Sequence, residues 1–359
     1  MRGLLCNERG PWHAVKAILI STSVSARGPM RIAAGACPLA PLIDRPFVQH
    51  VIESMLDLGA TEIHFVLFDD GDFVESLLGA GQRWGGKFRY HYLLRSESAY
   101  AKAGGLLASS VRPDEVILLA RADRLPAVDR QLLREPFSPA FLMSGGEGLE
   151  WTGWALVTQK ILSATRSSSD EYQSFTALRE TASANARLVR INRMLMANSF
   201  ENLLEAQVRV LSGEHQGLVL TGREIRDSVW IGWNANVHSS ATLIAPVYIG
   251  ENCSIGQRTQ VGPGVAVGKG SLIDRFSVVE RSLVYPGSYI GEGLEVRDAV
   301  VSGNRLVNTR LGGEIHDEHD ILLGHVAGFP VGAWLRNFRE FLFAGGAWGR
   351  EIGRNNGYR

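Results

Sequence analysis

Asp123 closes the apolar run EVILLARAD, residues 115–123, and a carboxylate at the carboxyl end of a buried strand stands where open parallel sheets gather their ligands. A second stretch that could do chemistry, KAILISTSVSARGPMRIAAGACPLAPLIDRP at residues 16–46, begins as a strand feeding a phosphate-binding loop. Such loops use glycines so that backbone N–H groups can approach an anion closely, and here the loop opens on serines. Near the other end, GGEIHDEHDILLGH sets His316, His319 and His325 among carboxylates. These are metal-ligating residue types, but their place at the end of a repeat array favours a polar exit loop. Cys6, Cys37 and Cys253 are far apart, odd in number and without metal-ligand spacing, which fits a reducing compartment rather than a disulfide framework.

The elements that must position these groups change character along the 359 residues. Up to about residue 215 strands and helices alternate. AVKAILI is a short apolar run, Val48, Val51, Ile52, Met55 and Leu56 recur at helical spacing until Gly59, and EIHFVLF returns as a strand, which together make a βαβ unit. After residue 218 aliphatic residues recur every sixth position, at Ile231, Val237, Leu243, Ile249, Ile255, Val261, Val267, Ile273 and Val279. The register slips near SLVYPGSYIG and resumes at Val284, Ile290 and Val296, and we expect the array to end around Gly324. Glycines concentrate in this last third, often directly after the aliphatic position, where a Cβ would obstruct a tight corner. Lys plus Arg equals Asp plus Glu, and no long basic run supplies the footprint that nucleic acid or an anionic membrane would need. No segment approaches the ~18 uninterrupted apolar residues of a membrane span, so we expect no transmembrane segment and a cytoplasmic protein.

The hexads resemble the left-handed parallel β-helix of hexapeptide-repeat proteins, whose triangular coils stack aliphatic residues inward. An α/β domain followed by such repeats is the layout of sugar-phosphate nucleotidyltransferases, and the chain resembles that family, particularly the mannose-1-phosphate guanylyltransferases. STSVSAR (21–27) falls on the family's glycine loop and ACPLAPLIDRP (36–46) on its Pro-Lys-Pro-Leu segment. AKAGGLL (101–107) resembles the base-proximal segment, ARADRL (120–125) the metal-binding Gly-Asp-x-Leu, TGWALVTQKIL (152–162) the sugar-side strand, and SFENLLEAQ (199–207) the closing helix. The resemblance implies a Rossmann-like nucleotidyltransferase domain over 14–215, a left-handed parallel β-helix over 218–325 and a helical tail over 326–359.

It also implies roles. Family chemistry lets a sugar 1-phosphate attack the α-phosphorus of a nucleoside triphosphate and expel pyrophosphate, with Mg²⁺ held by two Asp residues. By resemblance Arg27 is the catalytic loop cation and Asp123 the first metal ligand. Ser23, Ser25, Lys102, Ala103 and Gly104 would contact nucleotide, and Gly153 would stand on the sugar side. Three substitutions weaken that machinery. Ser23 and Ser25 replace loop glycines, Cys37 replaces the Lys that meets the sugar phosphate, and Met196 falls where the second Asp is expected, although a thioether is a poor ligand for hard Mg²⁺. Nearby cations such as Lys16, Arg31, Lys102 or Arg121 are candidates to replace the missing charge.

We therefore expect a catalytically impaired relative that binds a nucleotide or nucleotide sugar as a regulatory or scaffold subunit of nucleotide-sugar or polysaccharide biosynthesis. It would assemble with itself or with an active nucleotidyltransferase, and Mg²⁺ would accompany bound nucleotide. One alternative is an active enzyme with remodelled phosphate contacts. Another is a hexapeptide-repeat acyltransferase with His238 as general base. In the tail, Trp334, Leu335, Phe338, Phe341 and Leu342 fall at helical spacing, flanked by Arg336, Arg339 and Glu340, and suggest a cap on the last coil or an oligomer contact.

Overall fold

The computed structural model describes residues 15–21, 39–67, 71–94, 97–128, 137–145, 148–182, 186–215, 217–319 and 321–326. Ser23, Ser25, Arg27, Arg31, Cys37 and residues 327–359, with the aromatic tail, lie outside the described residues.

The first half runs β1 (Val15–Ile20), β2 (Pro41–Leu42), β3 (Arg45–Pro46), α1 (Phe47–Asp57), β4 (Ala60–Leu67), α2 (Gly71–Leu78), β5 (Lys87–Tyr92), α3 (Ala99–Leu106), β6 (Val116–Arg121) and β7 (Arg124–Pro126). It continues with β8 (Ala140–Ser144), β9 (Glu150–Thr158), α4 (Gln159–Leu162), α5 (Glu171–Ala182), β10 (Arg187–Arg190), β11 (Met194–Met196) and α6 (Phe200–Leu211). Seven strands form one sheet in the order β10-β8-β9-β6-β1-β4-β5. β1 pairs in parallel with both β4 and β6, and β9 runs antiparallel to both β6 and β8. The chain thus winds one way from β1 through β4 and β5 and the other way through β6, which makes the carboxyl ends of β1 and β6 the switch-point crevice.

Strand alternation explains why the apolar run Ala17–Ile20 is continuous rather than interrupted by polar residues. Ala17 and Leu19 enter a core shared with α1, whereas Ile18 and Ile20 enter a second core with Tyr100 and Ala103 of α3, and all four are buried. Helix α1 buries Val48, Val51, Ile52 and Met55 on one stripe, and Gly59 then takes a positive φ of 93° on the way into β4.

His50, on the same helix, is fully buried, and its Nε2–H donates to the Leu42 carbonyl at 3.2 Å. Burial holds its pKa down to about 4 against the pull of Asp44. The folded value lies below the unfolded one of about 6.5, so the contribution of neutral His50 is complete above pH 6.5 and is lost as the pH falls through 4. Between urea titrations at pH 7 and pH 4, the protein should lose up to ~3 kcal/mol more than His50→Gln does. Equal losses would mean that His50 takes up its proton in the folded protein at the same pH as in the unfolded chain, so that burial does not hold its pKa down.

From residue 229 the strands are short and fall into three parallel series. Val229–Ile231 pairs with Val247–Ile249 and that with Val265–Val267, a repeat of 18 residues, and the two other faces of each coil repeat in the same way. The slip in the sequence is a shortened coil: Val267 pairs with Val284, Ile273 with Ile290 and Val279 with Val296, each 17 residues on. Val247, Ile249, Ile255, Val261, Val267, Ile273, Val279, Val284, Ile290 and Val296 fill the interior. Parallel stacking stops earlier than Gly324. After Ala299–Ser302 the chain reverses at Gly303, φ 59°, and Arg305–Asn308 and Gly313–His316 fold back antiparallel.

The two halves share one core. Period-2 alternation turns Val229, Val247 and Val265 inward and leaves Trp230, Tyr248 and Ala266 outward, where they pack with Leu283 and Tyr285 against the core that holds α1 and α6. Gln207 of α6, 1% exposed, donates through Nε2 to the carbonyls of Gly264 (2.9 Å) and Ser282 (3.1 Å). Gln207→Leu should cost about 1–3 kcal/mol in urea unfolding, since the buried Gly264 carbonyl loses the Gln207 amide and the Ser282 carbonyl keeps only the Ala266 amide, at 3.2 Å. An unchanged midpoint would mean that this bridge adds nothing to the joint. Among the described residues no helix is long and apolar enough to cross a membrane.

Candidate functional site

β6 delivers Arg121, Ala122 and Asp123 to the switch-point crevice, and the Ala122 amide bonds to the Ile20 carbonyl at 2.9 Å, which locks the end of β6 to the end of β1. Asp123 is 1% exposed. Both of its oxygens are taken by one guanidinium: Arg121 Nε reaches Oδ1 at 2.9 Å and an Arg121 terminal nitrogen reaches Oδ2 at 2.7 Å. The other terminal nitrogen of Arg121 is bonded to Glu171, at the start of α5. Arg124 bonds the same carboxylate at 2.9 Å and the Trp151 carbonyl at 3.0 Å. Two guanidiniums and two carboxylates therefore close a neutral, half-buried network. Burial pulls the Arg121 guanidinium down, but Asp123 and Glu171 more than offset it and hold its pKa above the usual arginine value.

Gly153 of β9 makes this possible. Its φ is 79°, and a Cβ there would lie 2.6 Å from Arg121 Cγ and nearer still to Cδ. The glycine that the resemblance puts on the sugar side is, in the structure, the floor on which the Arg121 stem rests. Trp154, fully buried on the same strand, donates its indole N–H to the Arg124 carbonyl at 2.9 Å and so fixes the turn that follows Asp123.

Met196 sits beside Asp123 as the sequence placement implies. It pairs with Arg124 in the β7–β11 ladder, and the Ala197 amide bonds to the Asp123 carbonyl at 2.9 Å. With Ser144, Asn192, Asn202 and Arg209 it lines an adjoining cleft of about 250 Å³. For Mg²⁺, which needs hard oxygen donors, the donor set does not fit: the Asp123 oxygens are both engaged and the neighbouring position offers a thioether. Among the described residues no three His, Cys, Asp or Glu side chains gather as a metal site, and this includes His316, His319 and His325. The exit loop is instead organised by Asp317, which accepts from the backbone amides of His319 (3.2 Å) and Leu323 (2.9 Å).

The AKAGGLL segment forms α3, capped by Ser98. Ala103 is fully buried in the core. Gly104 is needed for close packing, because a Cβ would come within 3.0 Å of the Leu162 carbonyl and 2.6 Å of Thr165 Oγ1. Lys102 is half-buried, and its charge helps hold the His91 pKa down, after burial itself. The α3 residue that feels the ion network is Tyr100, whose phenol pKa is pushed up by burial and then by the Glu171 charge. It is 6% exposed and packs on Trp151, and among the described residues its hydroxyl has no hydrogen-bond partner. His238 is exposed, with its Nδ1 2.8 Å from Ser240 Oγ.

Sequence reasoning weighed Arg121 as a spare phosphate cation, and the structure turns it inward instead. It missed Glu171 and Tyr100, which lie 48 residues after Asp123 and 23 before it, and no local motif marks either.

No protein-family model matches the chain, and no curated protein sequence matches it. Among solved structures, the chain is similar to a protein of Bacillus anthracis described as a candidate glucose-1-phosphate thymidylyltransferase in complex with a sucrose. The two are 14% identical, the match covers 58% of this chain and 97% of the other, and the TM-score is 0.46. At that identity and TM-score the likeness says nothing of this chain's activity or ligand.

Proposed function

We propose that this chain is a sugar-phosphate-nucleotidyltransferase-like protein that binds a nucleotide or nucleotide sugar at the β1/β6 crevice without metal-dependent turnover. The observation that carries this reading is the Arg121 fork, which occupies both oxygens of the carboxylate that turnover would require as a metal ligand. Ser23, Ser25 and Arg27 follow β1 in sequence and are the groups expected to meet the phosphates, with Lys102 supplying further positive charge. The three-faced coil is read as a left-handed β-helix that carries assembly, either with a second copy or with an active nucleotidyltransferase of nucleotide-sugar or polysaccharide biosynthesis.

The test is the melting temperature of the purified chain against a panel of nucleoside triphosphates and nucleotide sugars, with and without Mg²⁺, followed by a pyrophosphate-release assay on every binder. Binding raises the melting temperature by mass action even where turnover is nil. The expected result is a shift of a few degrees without pyrophosphate release. Mg²⁺-dependent release that disappears in Asp123→Ala would overturn the reading, and a flat panel would remove nucleotide binding from it.

A further inference from the structure

We infer that Arg121 is the resident cation of this site, a built-in single positive charge that holds Asp123 and Glu171 together and keeps divalent cations out. The inference concerns the ion network alone and holds whether or not a nucleotide binds nearby.

Two independent observations converge on it. Arg121 bonds both carboxylates at once, in a two-bond fork to Asp123 and through its remaining nitrogen to Glu171. One guanidinium thus bridges two acidic groups from separate elements, as a bound cation would. Gly153 offers the stem a seat that no residue with a Cβ could offer, so the space around Arg121 is shaped for that side chain.

Without Arg121, two carboxylates would face the vacated space, with Arg124 still holding Glu171. Two carboxylates completed by water suffice for a Mg²⁺- or Mn²⁺-class ion, which keeps much of its hydration shell. Guanidinium and divalent ion therefore compete for the same oxygens. Arg121 wins in this chain because its charge is permanent and covalently tethered, so no free cation can displace it by mass action at ordinary concentrations. Arg121 is in this sense a specificity-determining residue: it sets the metal independence of the crevice.

The experiment titrates Mn²⁺ alone into the full chain, with free Mn²⁺ read by electron paramagnetic resonance and melting temperature measured at matched ionic strength. The expected result for the unaltered protein is no Mn²⁺ bound at sub-millimolar concentration and no rise in melting temperature. Arg121→Ala should melt lower without metal, then bind one Mn²⁺ at least tenfold more tightly than the unaltered protein and regain melting temperature on binding. The double variant Arg121→Ala, Asp123→Asn should lose both gains, which separates this site from adventitious surface binding. A folded Arg121→Ala that ignores Mn²⁺ overturns the inference. So does Mn²⁺ binding by the unaltered protein that disappears in Asp123→Asn, and this second arm decides the matter even where Arg121→Ala does not fold. A flat nucleotide panel would leave these outcomes untouched, so failure of the proposed function and failure of this inference are distinguishable.

Discussion

Arg121→Met is expected to lower folding stability by about 3–5 kcal/mol, the range seen when one partner of a buried ion pair is removed. The cause is desolvation. Asp123, 1% exposed, would keep its charge or take up a proton in a place that offers neither water nor a counter-ion, since Arg121 supplies both of its side-chain bonds. Glu171 would suffer less because Arg124 remains on it. Urea unfolding at pH 7 measures the loss, and a double-mutant cycle with Asp123→Asn isolates the pair. The double variant should be less destabilised than the two single losses summed, because a neutral amide beside a thioether leaves no buried charge. Losses that simply add would mean that Arg121 and Asp123 act independently, contrary to the fork.

Gly262→Ala should be comparably severe, on the order of 4 kcal/mol. Gly262 lies on the coil at φ 107°, and a Cβ there would be driven into the Ile244 carbonyl of the preceding coil. The obstacle is backbone already bonded into the stack, since the Ile244 amide donates to the Val261 carbonyl at 2.8 Å, so it cannot step aside as a side chain would. Gly59→Ala is the control. It has a similar φ of 93° but nothing within 4 Å of the added Cβ, so only the left-handed backbone strain of about 1–2 kcal/mol applies. Thermal unfolding of both variants should separate the two costs. Equal shifts would mean that the coils can move apart to admit a methyl group.

The coil was legible because its information is repetitive. An aliphatic residue every sixth position, a glycine after many of them and a shortened spacing before Val284 correspond to inward-facing rows, tight corners and a 17-residue coil. Its end was not. Leu306 and Leu323 continue the apolar pattern, yet one turn at Gly303 reverses the strand direction, and periodicity carries no sign for parallel or antiparallel. The βαβ start was legible for a similar reason, since AVKAILI and the α1 stripe announce a strand buried on both faces and a helix buried on one.

The site divides differently. Sequence by itself determined that Asp123 stands at the end of a buried strand, because an apolar run leads into it, whereas Met196 was put beside it by the family resemblance. Only the tertiary structure decided what Asp123 does. Arg121 ends β6 and Asp123 lies two residues on, in the turn before β7, but the choice of Arg121 between solvent and Asp123 depends on Gly153 of β9 leaving room and on Glu171 of α5 supplying a second acceptor. Those residues lie 30 and 48 positions beyond Asp123. Backbone hydrogen bonding and hydrophobic periodicity are local and repeat along the chain, so a sequence displays them. The partner of a single buried charge is set by which side chains the finished fold brings within 3 Å of it.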